Sequence, residues 1–170
     1  MRVSFDIDDT LVCRSAKGPP EPGHLPAVFC RWFGEPLRRG TCSLIRELRR
    51  RGCSIWIYTT SERTPFQIRL WLFLYGIHVN GVVNGERHRR ELPARGFARL
   101  PSKYPPAFGI DLHVDDSDGV RMEGEQHGFS VVIIQPNDDH WAGRVLAALD
   151  GCTVRSASKP LQATAAPPCS

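Results

Sequence analysis

Ser4 to Val12, SFDIDDTLV, constrains this chain most: an apolar run closes on three carboxylates and a hydroxyl within five residues. Carboxylates gathered behind a buried strand repel one another and lose hydration. A cation, or chemistry that uses the acids, is the expected reason for keeping them together. Met1 to Ile7 reads as the strand itself, with Val3, Phe5 and Ile7 on one face and the acids at its carboxyl end.

The rest of the chain alternates between strands and connections. From Cys13 to Pro36 the run AKGPPEPGHLP breaks helix and strand, which predicts an irregular loop or hairpin beside the acids, anchored by Phe29, Trp32 and Phe33. Thr41 to Arg50 reads as a helix with Leu44, Ile45 and Leu48 inward, arginines outward and Gly52 at the stop. CSIWIYTTS is a second strand, apolar from Ile55 to Tyr58 and ending in Thr59, Thr60 and Ser61. Thr64 and Pro65 supply the N-cap and first turn of a helix through Ile68, Leu70, Trp71, Leu72 and Leu74 to Gly76, apolar enough to be well buried or to offer one side to a partner.

IHVNGVVN is a short third strand, and Glu86 to Ser102 is expected to be a basic loop with at most a single helical turn. After Lys103 and YPPAFG, Ile110 to Val114 forms a fourth strand that delivers Asp115, Asp116, Ser117 and Asp118. A Gly- and Glu-rich connection leads to a fifth strand, Phe129 to Ile134, and a last helix spans Asp138 to Leu149. Residues 1–150 therefore read as one domain with a core large enough to be stable alone. Residues 151–170, rich in Ala, Ser, Pro and Thr, read as a disordered C-terminal tail.

Strand, connection and strand in alternation predict an α/β fold, a parallel sheet with helices on both faces. Ligands of such sheets bind outside the carboxyl ends of strands, near a topological switch point. Asp6, Asp8, Thr59 and the pair Asp115/Asp116 all fall at that edge. A hard cation such as magnesium needs few carboxylates and leaves positions for water and a phosphoryl oxygen. Asp6 with one acid of Asp115/Asp116 would serve as ligands, joined by the backbone carbonyl of Asp8. Residues i and i+2 of an extended segment point the same way, so one of Asp6 and Asp8 can attack phosphorus while the other moves the proton. A hydroxyl from Thr59 and the cation of Lys103 suit the equatorial oxygens of a transferred phosphoryl group.

The series DIDDT at Asp6 to Thr10, a hydrophobic strand ending in Thr59, then Lys103, then HVDDS at His113 to Ser117 resembles the haloacid dehalogenase-like (HAD) phosphohydrolase superfamily. The resemblance covers Met1 to about Leu149. It implies a Rossmann-like sheet of order 5-4-1-2-3, Mg2+ as cofactor, and a phosphatase that works through an aspartyl-phosphate. Asp6 would be nucleophile and metal ligand, Asp8 general acid/base and carbonyl ligand, Thr59 a phosphoryl donor, and Lys103 the group that steadies charge between nucleophile and phosphate. Asp116 is taken as the metal ligand with Asp115 supporting, an assignment open to reversal.

An aspartate at position 8 favours phosphatase or phosphotransferase, because dehalogenases of the superfamily lack that acid and its ATPases carry threonine there. Cys13 to Gly40 and Ser61 to Ser102 are too short for a folded cap domain, so the resemblance is to a capless member. Such an open site takes a phosphorylated small molecule, an exposed phosphate on a macromolecule, or a cover supplied by a second copy in a homo-oligomer. Thr60, Arg87, Arg89 and Arg90, with the proline-rich loop around His24, are the candidate substrate contacts.

Composition narrows the partners. An apolar fraction of 41% and a charged fraction of 24% are those of a globular protein. The run LWLFLYGI is too short to cross a bilayer, and no signal-peptide layout follows Met1, so a cytoplasmic location is expected. The six cysteines include no C-x-x-C pair, and the spacing of Cys13, His24 and Cys30 matches no zinc template, which leaves reduced thiols. The net charge of +4 sits mainly in two arginine clusters, Arg46 with Arg49 to Arg51 and Arg87 to Arg99. Neither is interleaved with aromatics as a nucleic-acid platform would be.

A phospho-accepting receiver domain is the rival from another class, since it too carries acids after its first strand. Its lysine, however, follows the last strand, and here no lysine follows Ile134 until Lys159. A catalytically inactive HAD-like binding protein is the other alternative; against it, every reactive position holds the required residue type.

Overall fold

Side-chain alternation in the first strand makes the two faces of the sheet chemically different. The computed structural model describes residues 1–12, 20–22, 35–93 and 100–157. Within it β1 (Arg2–Phe5) turns Val3 and Phe5 to one side and Ser4 to the other. It pairs in parallel with β2 (Ser54–Tyr58) on one flank and β4 (Leu112–Asp115) on the other. β3 (Gly81–Val83) extends the sheet beyond β2, and β5 (Val131–Ile133) beyond β4. The order β3-β2-β1-β4-β5 is the expected 5-4-1-2-3 read from the opposite edge, a Rossmann-like α/β arrangement. The chain builds β1, β2 and β3 outward, then crosses back so that β4 lies against β1. The switch point therefore falls between β1 and β4.

On the face of Val3 and Phe5 the register adds Ile55 and Ile57 from β2 and Leu112 and Val114 from β4. This is the main core, closed by three helices: α1 (Thr41–Arg50) through Leu44, Ile45 and Leu48; α2 (Pro65–Phe73) through Ile68, Trp71 and Leu72; and the last helix, Trp141–Ala157, through Trp141, Val145 and Leu149. A capping box holds the start of α2, the Thr64 side chain accepting from the Gln67 backbone and Gln67 answering the Thr64 backbone. Burial on α2 is one-sided, for Phe66 and Phe73 remain exposed.

The opposite face carries Trp56 and Tyr58, which pack with Val83, Leu92, Phe108 and Ile110 in a second, smaller core. There β3 approaches so closely that a Cβ on Gly81 would stand 2.3 Å from the Trp56 ring. A short 3-10 turn, Pro105–Phe108, and α3 (Gly85–Glu91) close this side.

Two helices occupy segments where none was expected in full. α3 takes up the first part of the predicted basic loop, from Glu86 to Glu91, and exceeds the single helical turn expected there. Its GERHRRE sequence has no apolar stripe, and it is set instead by the Asn84 side chain, which accepts from the Arg87 N–H at 3.1 Å. α4 (Asp118–His127) lies in the Gly- and Glu-rich connection and buries only Val120 and Gly124. At Gly124 a Cβ would meet Val131 at 3.0 Å, so glycine there lets the helix settle onto β5. The final helix, α5, continues to Ala157, into the stretch read as tail. Residues 158–170, the loop aromatics Phe29, Trp32 and Phe33, the trio Cys13, His24 and Cys30, and Arg95 and Arg99 lie outside the described residues. Cys42, Cys53 and Cys152 are free thiols. Among the described residues no helix is long and apolar enough to cross a membrane, and every element between β2 and Lys103 belongs to the sheet or its covering layer.

Candidate active site

Parallel register brings the first and second acid motifs side by side. Phe5 pairs with Val114, so Asp6 and Asp115 stand abreast at the next step, and the Asp6 N–H donates to the Val114 carbonyl at 2.9 Å. With a period of two, Ser4 and Asp6 on β1 share a face with His113 and Asp115 on β4. The result is a buried polar column at the centre of an otherwise apolar sheet.

The column is joined end to end. Ser4 Oγ lies 2.8 Å from His113 Nδ1, and His113 Nε2 lies 2.9 Å from Asp115 Oδ2. Lys103 Nζ donates to the same Asp115 oxygen at 2.5 Å, while the Ser117 N–H donates to Asp115 Oδ1 at 2.8 Å. Burial raises the cost of charging Asp115, but His113 and Lys103 outweigh it together and hold its carboxyl well below the usual carboxylate range. Burial pushes His113 down, toward the neutral imidazole, which donates to Asp115 through Nε2 and accepts the Ser4 hydroxyl at Nδ1.

Lys103 is the only described cation inside this column, 3% exposed, and it touches both motifs: its Nζ also lies 2.8 Å from Asp6 Oδ1. Its backbone is fixed from two sides. Glu123 of α4 accepts from the Ser102 and Lys103 N–H groups at 2.7 and 3.1 Å, and the Tyr58 hydroxyl accepts from the Tyr104 N–H at 2.8 Å. The Tyr58 hydroxyl in turn donates to His88 Nδ1 across 2.7 Å. The Tyr-Pro-Pro run after Lys103 thus forms a short 3-10 turn locked beneath the site.

Asp6 is the group with unused capacity. Its Oδ1 is buried, and although Lys103 Nζ is close, no hydrogen-bond donor among the described residues is aligned with that oxygen. Burial raises its pKa and the Asp115 charge adds to the rise, with Lys103 opposing them. Asp6, Asp115 and Asp116 each bring one oxygen to within 4.8 Å of the other two. Asp116 is half-buried, accepts from the Thr10 hydroxyl at 3.5 Å, and is raised by burial and by the neighbouring Asp115 charge. Asp9 turns the chain with φ 55, a left-handed conformation that aspartate tolerates better than most residues.

Asp8 faces a partner that the sequence reading did not single out. Arg63 grips its carboxylate with two parallel hydrogen bonds, Nη1 to Oδ2 and Nη2 to Oδ1, both 2.9 Å, and Nη2 also donates to Glu35 at 2.8 Å. The only sequence signal was an arginine four residues after Thr59, just before the Thr64 cap. Thr59 itself is buried at the end of β2, bonded through its N–H to Val83, with its hydroxyl accepting from the Ser61 N–H at 3.2 Å. Thr60 is exposed. Ser61 Oγ is a second buried oxygen without a hydrogen-bond partner among the described residues.

The arginines proposed as substrate contacts are engaged elsewhere. Arg87 donates to the Val82 carbonyl and to Glu91, both at 3.0 Å, and lies over the Phe108 and Trp56 rings beneath the sheet. Arg89 pairs with Glu62 and Arg90 with Glu91. None of these contacts is with the acid motifs, because α3 directs its basic residues along its own surface and against the second core.

No family model matches the chain, and no curated protein matches it. Among solved structures, one described as a predicted HAD-like family hydrolase from Porphyromonas gingivalis aligns with a TM-score of 0.41 at 12% identity, over 94% of this chain and 98% of that one.

Proposed function

We propose that the chain is a capless HAD-like phosphohydrolase, a magnesium-dependent phosphomonoester phosphatase that works through an aspartyl-phosphate on Asp6. The observation that carries this reading is the state of Asp6: a buried carboxylate at the switch point whose Oδ1 has the Lys103 ammonium 2.8 Å away but no aligned hydrogen-bond donor among the described residues. Buried polar atoms left in that state are rare, and a catalytic role or a bound ion or water accounts for them.

The donor set fits magnesium, being all hard oxygens with three carboxylates converging. Asp6, Asp116 and the backbone carbonyl of Asp8 would hold the ion. Asp115 is the supporting acid on this reading, because Lys103, His113 and the Ser117 N–H already occupy both of its oxygens. When bound, magnesium supplies positive charge that offsets the repulsion among these acids and draws a phosphoryl oxygen toward Asp6.

Asp6 attacks phosphorus while the bond to the leaving oxygen breaks, and Asp8 gives that oxygen its proton. Asp8 then takes a proton from a water that attacks the aspartyl-phosphate, releasing phosphate and restoring Asp6. Lys103 and the Thr59 hydroxyl hold the phosphoryl charge during both transfers. The test is turnover of a generic aryl phosphate with and without magnesium, for the wild type and Asp6→Asn. Magnesium-dependent turnover abolished by that substitution is expected. Turnover that is absent, or that survives Asp6→Asn, refutes the reading, and stable phosphorylation without turnover points to the receiver class instead.

A further inference from the structure

We infer that Arg63 is the positioning residue for Asp8, fixing the carboxylate that moves the proton in the reaction proposed above, on which this inference rests. Asp8 sits half in solvent, its side chain 51% exposed, where an isolated carboxylate would sample several rotamers. The planar guanidinium of Arg63 removes that freedom, since two parallel bonds of 2.9 Å fix both the position and the plane of the carboxylate. A fork of this kind uses one lone pair on each Asp8 oxygen and leaves the other position free, to carry the proton that Asp8 gives to a leaving oxygen when it is the carboxylic acid and to accept a proton from water when it is the carboxylate.

Arg63 is itself held at both ends. Its backbone carbonyl accepts from the Asn84 side-chain amide at 3.1 Å, and Asn84 is buried at 3% exposure. The next residue, Thr64, is locked in the capping box of α2. At the far end Nη2 also bonds Glu35 at 2.8 Å, and the Glu35 carbonyl is pinned by the Trp71 indole N–H at 2.8 Å. The chain thus runs from a helix cap and a buried tryptophan, through Arg63, to Asp8. A surface ion pair formed by chance would lack this backing.

If Arg63 acts through Asp8, its loss penalises the step that needs a proton and spares the step that does not. The experiment compares kcat/KM of the wild type, Arg63→Gln and Arg63→Lys on an alkyl phosphate, whose leaving oxygen requires protonation, and on a dinitrophenyl phosphate, whose leaving oxygen does not. Arg63→Gln is expected to lose about a hundredfold on the alkyl ester, the scale of general-acid catalysis, and less than about tenfold on the dinitrophenyl ester. Arg63→Lys, which keeps the charge without the fork, should fall between. In an Asp8→Asn background the Arg63→Gln change should cost less than about threefold, because coupled residues are not additive.

Equal losses on both esters, or an undiminished loss in the Asp8→Asn background, overturn the assignment and make Arg63 a structural or binding residue. Thermal unfolding of each variant checks that it is folded. A wild type that turns over neither ester refutes the phosphatase reading itself and the inference with it, whereas a failure confined to the Arg63 comparison leaves that reading standing.

Discussion

Replacing Lys103 with methionine removes the cation shared by two buried carboxylates while keeping most of the side-chain volume. Lys103 Nζ lies 2.8 Å from Asp6 Oδ1 and 2.5 Å from Asp115 Oδ2, and its side chain is 4% exposed. Each contact is worth roughly 6 kcal/mol of attraction at an effective dielectric of about 20. Against that stands the desolvation of the ammonium, which the variant no longer suffers. Breaking a buried pair by removing one partner costs about 3–5 kcal/mol, and that is the penalty expected here in the presence of a chelator. For a chain of this size it corresponds to a fall in Tm of roughly 6–20 °C.

The pH dependence of that penalty separates the electrostatic cause from simple packing loss. Lys103 opposes the upward shift of Asp6, so its removal raises the Asp6 carboxyl further. An acid whose folded pKa stands above its unfolded value binds its proton first in the native state, and the native state gains stability as pH falls through that window. Lys103 also lowers His113, so the variant accepts a proton there more readily as well. The deficit should therefore shrink between about pH 7 and about pH 5. Urea unfolding followed by tryptophan fluorescence measures it. A penalty under about 1 kcal/mol at neutral pH, or one that stays constant or grows toward acid, refutes the shared-cation account.

Gly81→Ala should destabilise by about 1–3 kcal/mol, since the new Cβ meets the Trp56 ring at 2.3 Å, and a shift in tryptophan emission should accompany it; an unchanged urea midpoint contradicts the packing. Asn84→Ala removes the cap of α3 and the donor that holds the Arg63 carbonyl. Its expected cost is about 1–2 kcal/mol by denaturation. Burial pushes His88 and His113 below the ordinary histidine range. The unfolded chain then binds more protons, and stability should decline as pH falls from about 6.5, with a slope of up to about 1.4 kcal/mol per pH unit for each histidine. Because the raised Asp6 and Asp116 carboxyls act in the opposite sense, the histidine contribution is read as the difference in pH slope between the wild type and His88→Phe, and an identical slope in the two contradicts the burial of His88 as a neutral ring.

Strands and amphipathic helices were legible because their periodicity is written in side chains. SIWIY and the inward Leu44, Ile45 and Leu48 announce their elements at the residues where the structure has them. α3 and α4 were not, since neither has an apolar stripe. α3 depends on a cap from Asn84 and on Arg87 reaching the Val82 carbonyl, and α4 depends on Gly124 fitting against β5. The same distinction governs the site. Acids at strand ends can be read from sequence, because a strand's carboxyl end is a local property. The partners of those acids cannot. Arg63 and Glu35 are distant in the chain, and nothing at position 63 distinguishes a clamp on Asp8 from a solvated arginine.

The sequence by itself determined the α/β alternation and the residues gathered at the carboxyl edge, because hydrophobic period and strand-end chemistry are encoded within a few neighbouring positions; the strand order came only as an expectation from the resemblance of the motifs. Only the tertiary structure decided how those residues are paired. Asp115 is saturated by Lys103, His113 and the Ser117 N–H, Asp6 keeps an oxygen with no aligned hydrogen-bond donor among the described residues, and Asp8 is gripped by Arg63 while Arg87 turns to the second core. Hydrogen bonds and ion pairs form across space between residues tens of positions apart, so the environment of each carboxylate exists only once the sheet has closed in register.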